Sequence, residues 1–345
     1  MIRILPEWAQ NERLIHSIKT ALACLAGFLV TRTIHFQTMQ WVVITTLVVM
    51  CAQINVGSVI QKSWMRFLGT LAGSLLAILT LEIAGDDPFI KMMVVLIAAM
   101  FFSFIATSTK SYNESGTLGA VTVTIILFGT NPDVQTGIER FLEISLGILI
   151  AAIVSQFILP IHAKTHLRKN QAMTIKKIRT FYLALFSSTP SPDNTDTLGN
   201  LDEEMVKSLI LQRKLAGEAR KEKWGNGFNM DDFKQSLWCE KEMIRSIIFM
   251  FYAWQKSSCL TIMQHNRELL DNFHEAISNT LETISVGILQ NKLFSDKLLV
   301  NTDALKQSLN APIPEKDGKM SVDAFLFCAD ILVERLDRMI HLLKK

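Results

Sequence analysis

Four cations stand inside or at the edge of apolar runs, where a sequence has little reason to carry them: Lys19, Arg66, Lys91 and Arg140. A carboxylate, Glu143, follows Arg140 by three positions. The chemistry open to such residues is electrostatic. A cation on a helix face shared with small residues points at other helices and cannot snorkel to the headgroups, so it lines a polar cavity or pairs with an acid. Lys19, Arg66, Lys91 and Arg140 are therefore candidates for holding an anionic substrate, and Glu143 is the one carboxylate placed to titrate among them, a candidate proton site. A second assignment stays open, with Arg66 anchoring its helix at the interface and Arg140 simply pairing with Glu143 one turn on.

The small residues share faces with these cations. Lys19, Ala23, Gly27 and Thr31 recur at intervals of four; Arg66 is followed by Gly69, Thr70, Gly73, Ala77 and Thr80, and Arg140 by Glu143, Gly147, Ala151 and Ser155. Gly27, Gly69, Thr70, Gly73 and Gly147 are the positions expected to let helices approach closely. Gln53 and Asn55 suggest a polar vestibule, and Glu114, beside "SYNESG", suits a helix N-terminus.

Six apolar spans carry these residues, at 14–34, 39–56, 66–83, 89–107, 114–129 and 138–159, each close to the roughly 20 residues that cross a ~30 Å hydrocarbon core. Of the 67 Lys, Arg, Asp and Glu residues, 18 fall in 1–160 and 49 in 161–345. That shift, with Pro160 on it, divides the chain into a six-helix transmembrane domain, 1–160, and a cytoplasmic all-helical domain, 161–345. The fold class expected is an all-α membrane protein.

Lys62, Arg66, Lys110 and the basic start of the second domain are set against Asp86 and Asp87 in the third link. The positive-inside rule then puts both termini in the cytoplasm, although Arg32 and His35 fall on the outer side. Lys19 interrupts the apolar run ahead of Cys24, which argues against a cleaved signal peptide. Five cysteines without a CxxC pair form neither a disulfide framework nor a zinc site.

An echo runs through the first domain. "RFLGTLAG" at 66–73 returns as "RFLEISLG" at 140–147, and the lysine-led openings of the first and fourth spans, at Lys19 and Lys91, have nearly the same separation. Three helices repeated once enter the membrane upside down, the arrangement many transporters build their sites between. On that reading Lys19 and Arg66 belong to the cytoplasmic end, Lys91 and Arg140 to the outer end.

The second domain reads as amphipathic helices near 163–187, 201–224, 231–257, 266–290, 295–309 and 321–344, separated by Pro-, Gly- and Asn-rich breaks. The apolar stretch 243–255 is too short to span and fits a bundle core. There is no phosphate-binding Gly loop, HExxH or GxSxG, so no enzyme, nucleotide-driven pump or catalytic residue is assigned. His162 and His166, one turn apart, are read as solvated; no metal or cofactor is assigned, and nothing points to nucleic acid.

"WVVITTLVVMCAQINVG" (41–57), Lys62 with "RFLGTLAG", and "ERFLEISLGILIA" followed by Pro160 resemble the fusaric acid resistance family of aromatic acid exporters and, more distantly, the plant aluminium-activated malate transporters. The helix before the Arg66 core often holds a proline in such exporters, where this chain has Gln53 and Asn55. The resemblance implies transport of organic, often aromatic, carboxylates across the inner membrane, and, because only one six-helix half is present, a homodimer in contact with lipid. The expected function is gradient-driven export of organic anions. An anion channel like the malate channels, or a membrane scaffold without transport, remains as the alternative.

Overall fold

The structure is a computed structural model that describes residues 7–34, 40–51, 54–85, 87–108, 112–129, 132–186, 194–222, 228–255, 266–290, 300, 302–309 and 316–344. His35, Gln53, Asp86, Lys110 and Cys259 lie outside them. Every regular element among the described residues is an α-helix. Clustering of contacts divides the chain into two compact units, the first running to Ala163 and including Lys221 and Glu222, the second made of Lys164–Arg220 and the described residues from 228 onward.

The first unit holds α1 (Glu7–Ile34), α2 (Gln40–Cys51), α3 (Val56–Ala84), α4 (Pro88–Ala106), α5 (Asn113–Leu127) and α6 (Val134–Phe157). The helix starts follow capping chemistry. Asp87 accepts from the Phe89 and Ile90 N–H groups with Pro88 in the first turn of α4, and Asp133 accepts from the Val134 N–H at the start of α6. Gly85 ends α3 at φ +60°, a conformation that favours glycine, with its N–H on the Leu81 carbonyl.

Three segments are long and apolar enough to cross a membrane: Glu12–Thr33 of α1, Val56–Ile83 of α3 and Pro88–Ala106 of α4. Helix α2 is apolar but has 12 residues, α5 has 15, and α6 has 24 but carries Glu139, Arg140 and Glu143.

One boundary differs from the hydropathy reading in a way that matters for the site. Hydropathy opens the third span at Arg66, yet α3 begins well before it, at Val56. Polar Gln61 and Lys62 do not stop a helix whose apolar positions keep helical spacing. They are held on its surface, where Lys62 pairs with Glu114 of α5 at 2.5 Å and Gln61 accepts from Lys221.

The helix pairings have an internal symmetry. Helix α1 packs on α2 and α6; α2 also on α3 and α6; α3 also on α4, α5 and α6; α4 on α5; and α5 on α6. Exchanging α1 with α4, α2 with α5 and α3 with α6 leaves this set unchanged. The close contacts repeat as well. A Cβ placed on Gly73 would lie 2.6 Å from the Gly119 carbonyl oxygen and 2.9 Å from Thr122 Cβ, and one on Gly147 would lie 2.7 Å from the Val42 carbonyl oxygen and 2.8 Å from Thr45 Cβ. Gly73 of α3 is thus the mate of Gly147 of α6, and Val42 and Thr45 of α2 are the mates of Gly119 and Thr122 of α5. Helices α3 and α6 run antiparallel, since Gly137 near the start of α6 meets Ile78 near the end of α3. At their crossing Phe67 touches its own mate, Phe141, with ring centroids 5.7 Å apart, as two residues on a pseudo-two-fold axis must.

The second unit holds α7 (Ala163–Phe186), α8 (Asn194–Ala219), α9 (Met230–Trp254), α10 (Arg267–Gln290), α11 (Asp303–Leu309) and α12 (Lys316–Leu343), apart from Ala163 itself. Their apolar stripes meet in a large core, with Ile175 and Ile178 of α7, Met243 and Ile247 of α9, Ile277 and Leu281 of α10, and Phe325 and Leu332 of α12 all buried, and in a smaller one where Leu167 of α7, Leu209 and Leu215 of α8 and Phe233 of α9 meet. Cys239 and Cys328 are free, buried thiols there.

Candidate functional site

The inner face of α1 is the face marked by small residues: Lys19, Ala23 and Thr31 have no exposed surface, while Leu14, Ile18, Leu22, Leu25 and Leu29 on its other sides are exposed. The Lys19 ammonium donates to the Ser155 carbonyl of α6 at 2.6 Å. Ser155 is in the last turn of α6, where carbonyls have no partner within the helix, so Lys19 finishes a helix C-terminus. His16 lies one turn before Lys19 and within its electrostatic range. Sequence reasoning missed it; the signal was its placement three residues ahead of Lys19 on the same face.

Arg66 stands ten residues into α3, which starts at Val56. The apolar part of α3, Val56–Ile83, has its middle between Gly69 and Thr70, which puts the Arg66 Cα roughly 5 Å from it along the axis. Its Nε is buried and makes no hydrogen bond, and Glu114 is the charge that acts on it. Ser63, Thr70 and Ser74 fall on one side of α3 with Arg66, at offsets of −3, +4 and +8, and their hydroxyls are buried without a partner as well.

Hydroxyls elsewhere in this unit are of two kinds, and those of Ser58, Ser108, Ser145 and Ser155 are also buried without a partner. Thr31, Thr46, Thr80 and Thr124 each donate to the carbonyl four residues back, at 2.7–2.9 Å. Three hydroxyls and a guanidinium nitrogen left open along one line, near the middle of an apolar helix, form a polar seam. A buried polar atom without a partner costs about 1–3 kcal/mol, so the seam favours an occupant with oxygen atoms to offer.

Arg140 has partners of its own. Its guanidinium donates to Glu143 at 3.1 Å and lies 4.7 Å from the centroid of the Trp41 ring. Glu143 is fully buried. Lys91, near the start of α4, is 4% exposed. Arg66 and Arg140 each directly precede a phenylalanine of the Phe67–Phe141 contact, so the two flank the α3–α6 crossing. Glu114, expected as a helix-terminal acid, is in the first turn of α5 and also binds Lys62 across to α3.

The glycines differ in how strictly the fold needs them. Gly69 has no room for a side chain, since a Cβ would be 2.4 Å from the Ser115 carbonyl oxygen, and Gly73 and Gly147 are similarly closed. At Gly27 the nearest atom to an added Cβ is 3.6 Å away, an ordinary contact.

The second unit buries titratable groups in pairs. Tyr182 and His274 share a 2.5 Å hydrogen bond, with Phe186 stacked on the His274 ring. Burial pushes the His274 pKa down to about 4 and raises that of Tyr182. Glu240 accepts from Gln212, yet its full burial pushes its pKa up to about 8. Among the described residues no cluster of three or more His, Cys, Asp or Glu side chains is suited to a metal ion; His162 Nδ1 faces Glu222 at 3.4 Å.

Comparison with known proteins adds identity to this geometry. The chain is 27% identical over 215 residues to "Inner membrane protein YeeA" of Escherichia coli (strain K12), covering 62% of this chain and 59% of that protein. It is 27% identical over 229 residues to "Multidrug resistance protein MdtO" of the same strain, covering 59% and 32%, and 24% identical over 223 residues to "Aluminum-activated malate transporter 1" of Triticum aestivum, covering 59% and 48%. It therefore matches at most 59% of the length of these relatives. The model of the fusaric acid resistance protein family matches residues 13–226, from α1 through the whole of α8. The chain belongs to the fusaric acid resistance protein family.

Proposed function

We propose that the first unit carries organic carboxylate anions across the inner membrane, as a gradient-driven exporter in which α1–α6 all cross, both termini are cytoplasmic and the second unit is a cytoplasmic bundle. The observation that carries this reading is the seam on α3, where Arg66 Nε and the hydroxyls of Ser63, Thr70 and Ser74 are buried and unpaired near the middle of the span. A guanidinium with hydroxyls beside it fits a carboxylate, because both are planar and the hydrogen bonds are charge-assisted.

The short helices support the same place. Helices α2 and α5 are pseudo-two-fold mates, and both are shorter than a bilayer core; short apolar segments at corresponding positions of two halves point to a transport site between them. Two relatives are named as a multidrug resistance protein and a malate transporter, and the second of these names is in keeping with an anionic organic substrate. Lys19 donates to a backbone carbonyl, and Arg66 Nε makes no hydrogen bond while the nearby Glu114 is paired with Lys62, which favours transport over a closed scaffold. Lys19 serves by fixing the end of α6, and Lys91 and Arg140 complete the positive field of the path. The protein works as a homodimer.

The test is flux of labelled benzoate and malate from proteoliposomes holding the full chain. Arg66→Ala lowers flux at least tenfold while elution and helix content stay at wild-type values, and Lys19→Ala lowers it by a smaller factor. Unchanged flux in a folded Arg66→Ala protein would overturn the site. Unitary currents in a planar bilayer without a driving gradient would convert the exporter into a channel with the same residues.

A further inference from the structure

The two halves of the first unit agree in their packing and differ beside the two arginines. Gly73 and Gly147 close on the same pair of atoms in α5 and α2, and Phe67 meets Phe141. These contacts fix the register, Gly73 onto Gly147 for α3 and α6 and Val42 onto Gly119 for α2 and α5. In that register Arg66 answers to Arg140, Gly69 to Glu143, and Leu118 to Trp41. The two groups that engage Arg140, the Glu143 carboxylate at 3.1 Å and the Trp41 ring at 4.7 Å, thus have only Gly69 and Leu118 as mates in the Arg66 half, where the nearby acid, Glu114, is engaged by Lys62. Gly69 cannot be replaced by an acid, because its Cβ would run into the Ser115 carbonyl.

We propose that the unit contains two equivalent carboxylate subsites, and that Glu143 is a tethered carboxylate permanently seated in the second, so that only the Arg66 subsite is open to a free anion. This rests on the transport reading above for the Arg66 half and on the repeat for the Arg140 half. The Arg66 subsite is built from Arg66 with Thr70 and Ser74, which are 0% and 2% exposed and whose hydroxyls have no partner. Glu143, wholly buried and in contact with its arginine, has the planar pair of oxygens that a substrate carboxylate presents. The role it takes is that of an internal ligand in place of a proton carrier. The consequence is one substrate carboxylate per chain, although the fold provides two arginines by the same axis.

The experiment is equilibrium binding of labelled benzoate to the full chain in lipid nanodiscs, counted per chain, with elution profile and helix content as controls. Wild type binds one. Glu143→Gln binds two, and Glu143→Gly, which installs the residue found in the other half, does the same should the amide variant fail to fold. Adding Arg140→Gln to either returns the count to one. A folded Glu143 variant that still binds one overturns the proposal, and if it also loses the pH dependence of flux, Glu143 is a proton site. The transport reading fails separately: it falls if wild type binds none, while a gain of one site in Glu143→Gln would still uphold the tethered carboxylate.

Discussion

The two units differ in how their buried polar groups are arranged, although each leaves some buried atoms without a partner. In the second, buried polar side chains find each other across helices: Thr174 of α7 shares a 2.6 Å hydrogen bond with Ser208 of α8, Gln212 of α8 donates to Thr174 at 2.9 Å and to Glu240 of α9 at 2.7 Å, and Ser285 of α10 donates to the Ala172 carbonyl of α7. In the first, Arg66 Nε, Ser63, Thr70 and Ser74 stay open along α3. Both units have helices enough to supply partners, so the difference lies in what the groups are for. A connected network such as that of the second unit, in which only Gln212 Oε1 and Glu240 Oε1 are left without a partner, specifies packing, and its loss is felt as lost stability. An open seam has to be completed by something that arrives.

The comparison breaks most severely if the open seam is only loose packing. Gly73→Leu and Gly147→Leu place a side chain on a carbonyl 2.6–2.7 Å away and should abolish folded, monodisperse protein in detergent, whereas Gly27→Ala should elute as wild type. Tolerance of leucine at Gly73 would mean that α3 and α5 are not locked and the seam has no fixed geometry.

A middle-sized effect sharpens the closed side. Glu240 has a folded pKa of about 8 against an ordinary 4.5, so the stability of its protonated, buried form is full below pH 4.5 and is lost as the pH rises through 8. His274 has a folded pKa of about 4 against 6.5; its contribution is present above pH 6.5 and lost as the pH falls through 4. Melting followed by circular dichroism on the full chain should show Glu240→Gln gaining roughly 5 °C or more on wild type at pH 9 and little at pH 5. His274→Phe should reduce the loss of melting temperature between pH 6.5 and pH 4. A Glu240→Gln difference independent of pH would show that its burial is not what shapes the alkaline limb.

The smallest effect is a control for both sides. Lys207 and Glu203 form an ion pair on the surface of α8, at 2.6 Å and with side chains 68% and 64% exposed. Lys207→Ala should leave melting temperature and flux unchanged, since exposed pairs contribute little. A measurable loss would mean that polar groups matter in this chain irrespective of burial.

The face of α1 was legible from spacing alone, because Lys19, Ala23, Gly27 and Thr31 recur every four residues and only an inward face explains small residues beside a cation. The helices of the second unit were legible for the same reason of periodicity, reinforced by breaks such as the Pro-rich stretch before α8. The depth of Arg66 was not. Hydropathy places a helix start where polarity ends, but α3 begins before Gln61 and Lys62, whose side chains are satisfied by Glu114 and Lys221, residues distant in sequence. The same limit hid Trp41 against Arg140 and Tyr182 against His274, pairs that only the folded chain brings together. The echo of "RFL" announced a relation between Arg66 and Arg140, but only the glycine contacts supply the register that shows what each arginine has beside it.

The Phe67–Phe141 contact gives the first unit the logic of an isologous interface inside one chain. Two three-helix segments meet face to face as identical subunits would, and the link around Gly85 replaces the diffusional encounter that two free segments would need. An assembly of separate identical subunits has no means of being lopsided, because any residue gained on one side is gained on the other. Fusion removes that constraint: one polypeptide can keep an arginine on both sides of its axis and seat a counter-charge in direct contact with only one of them.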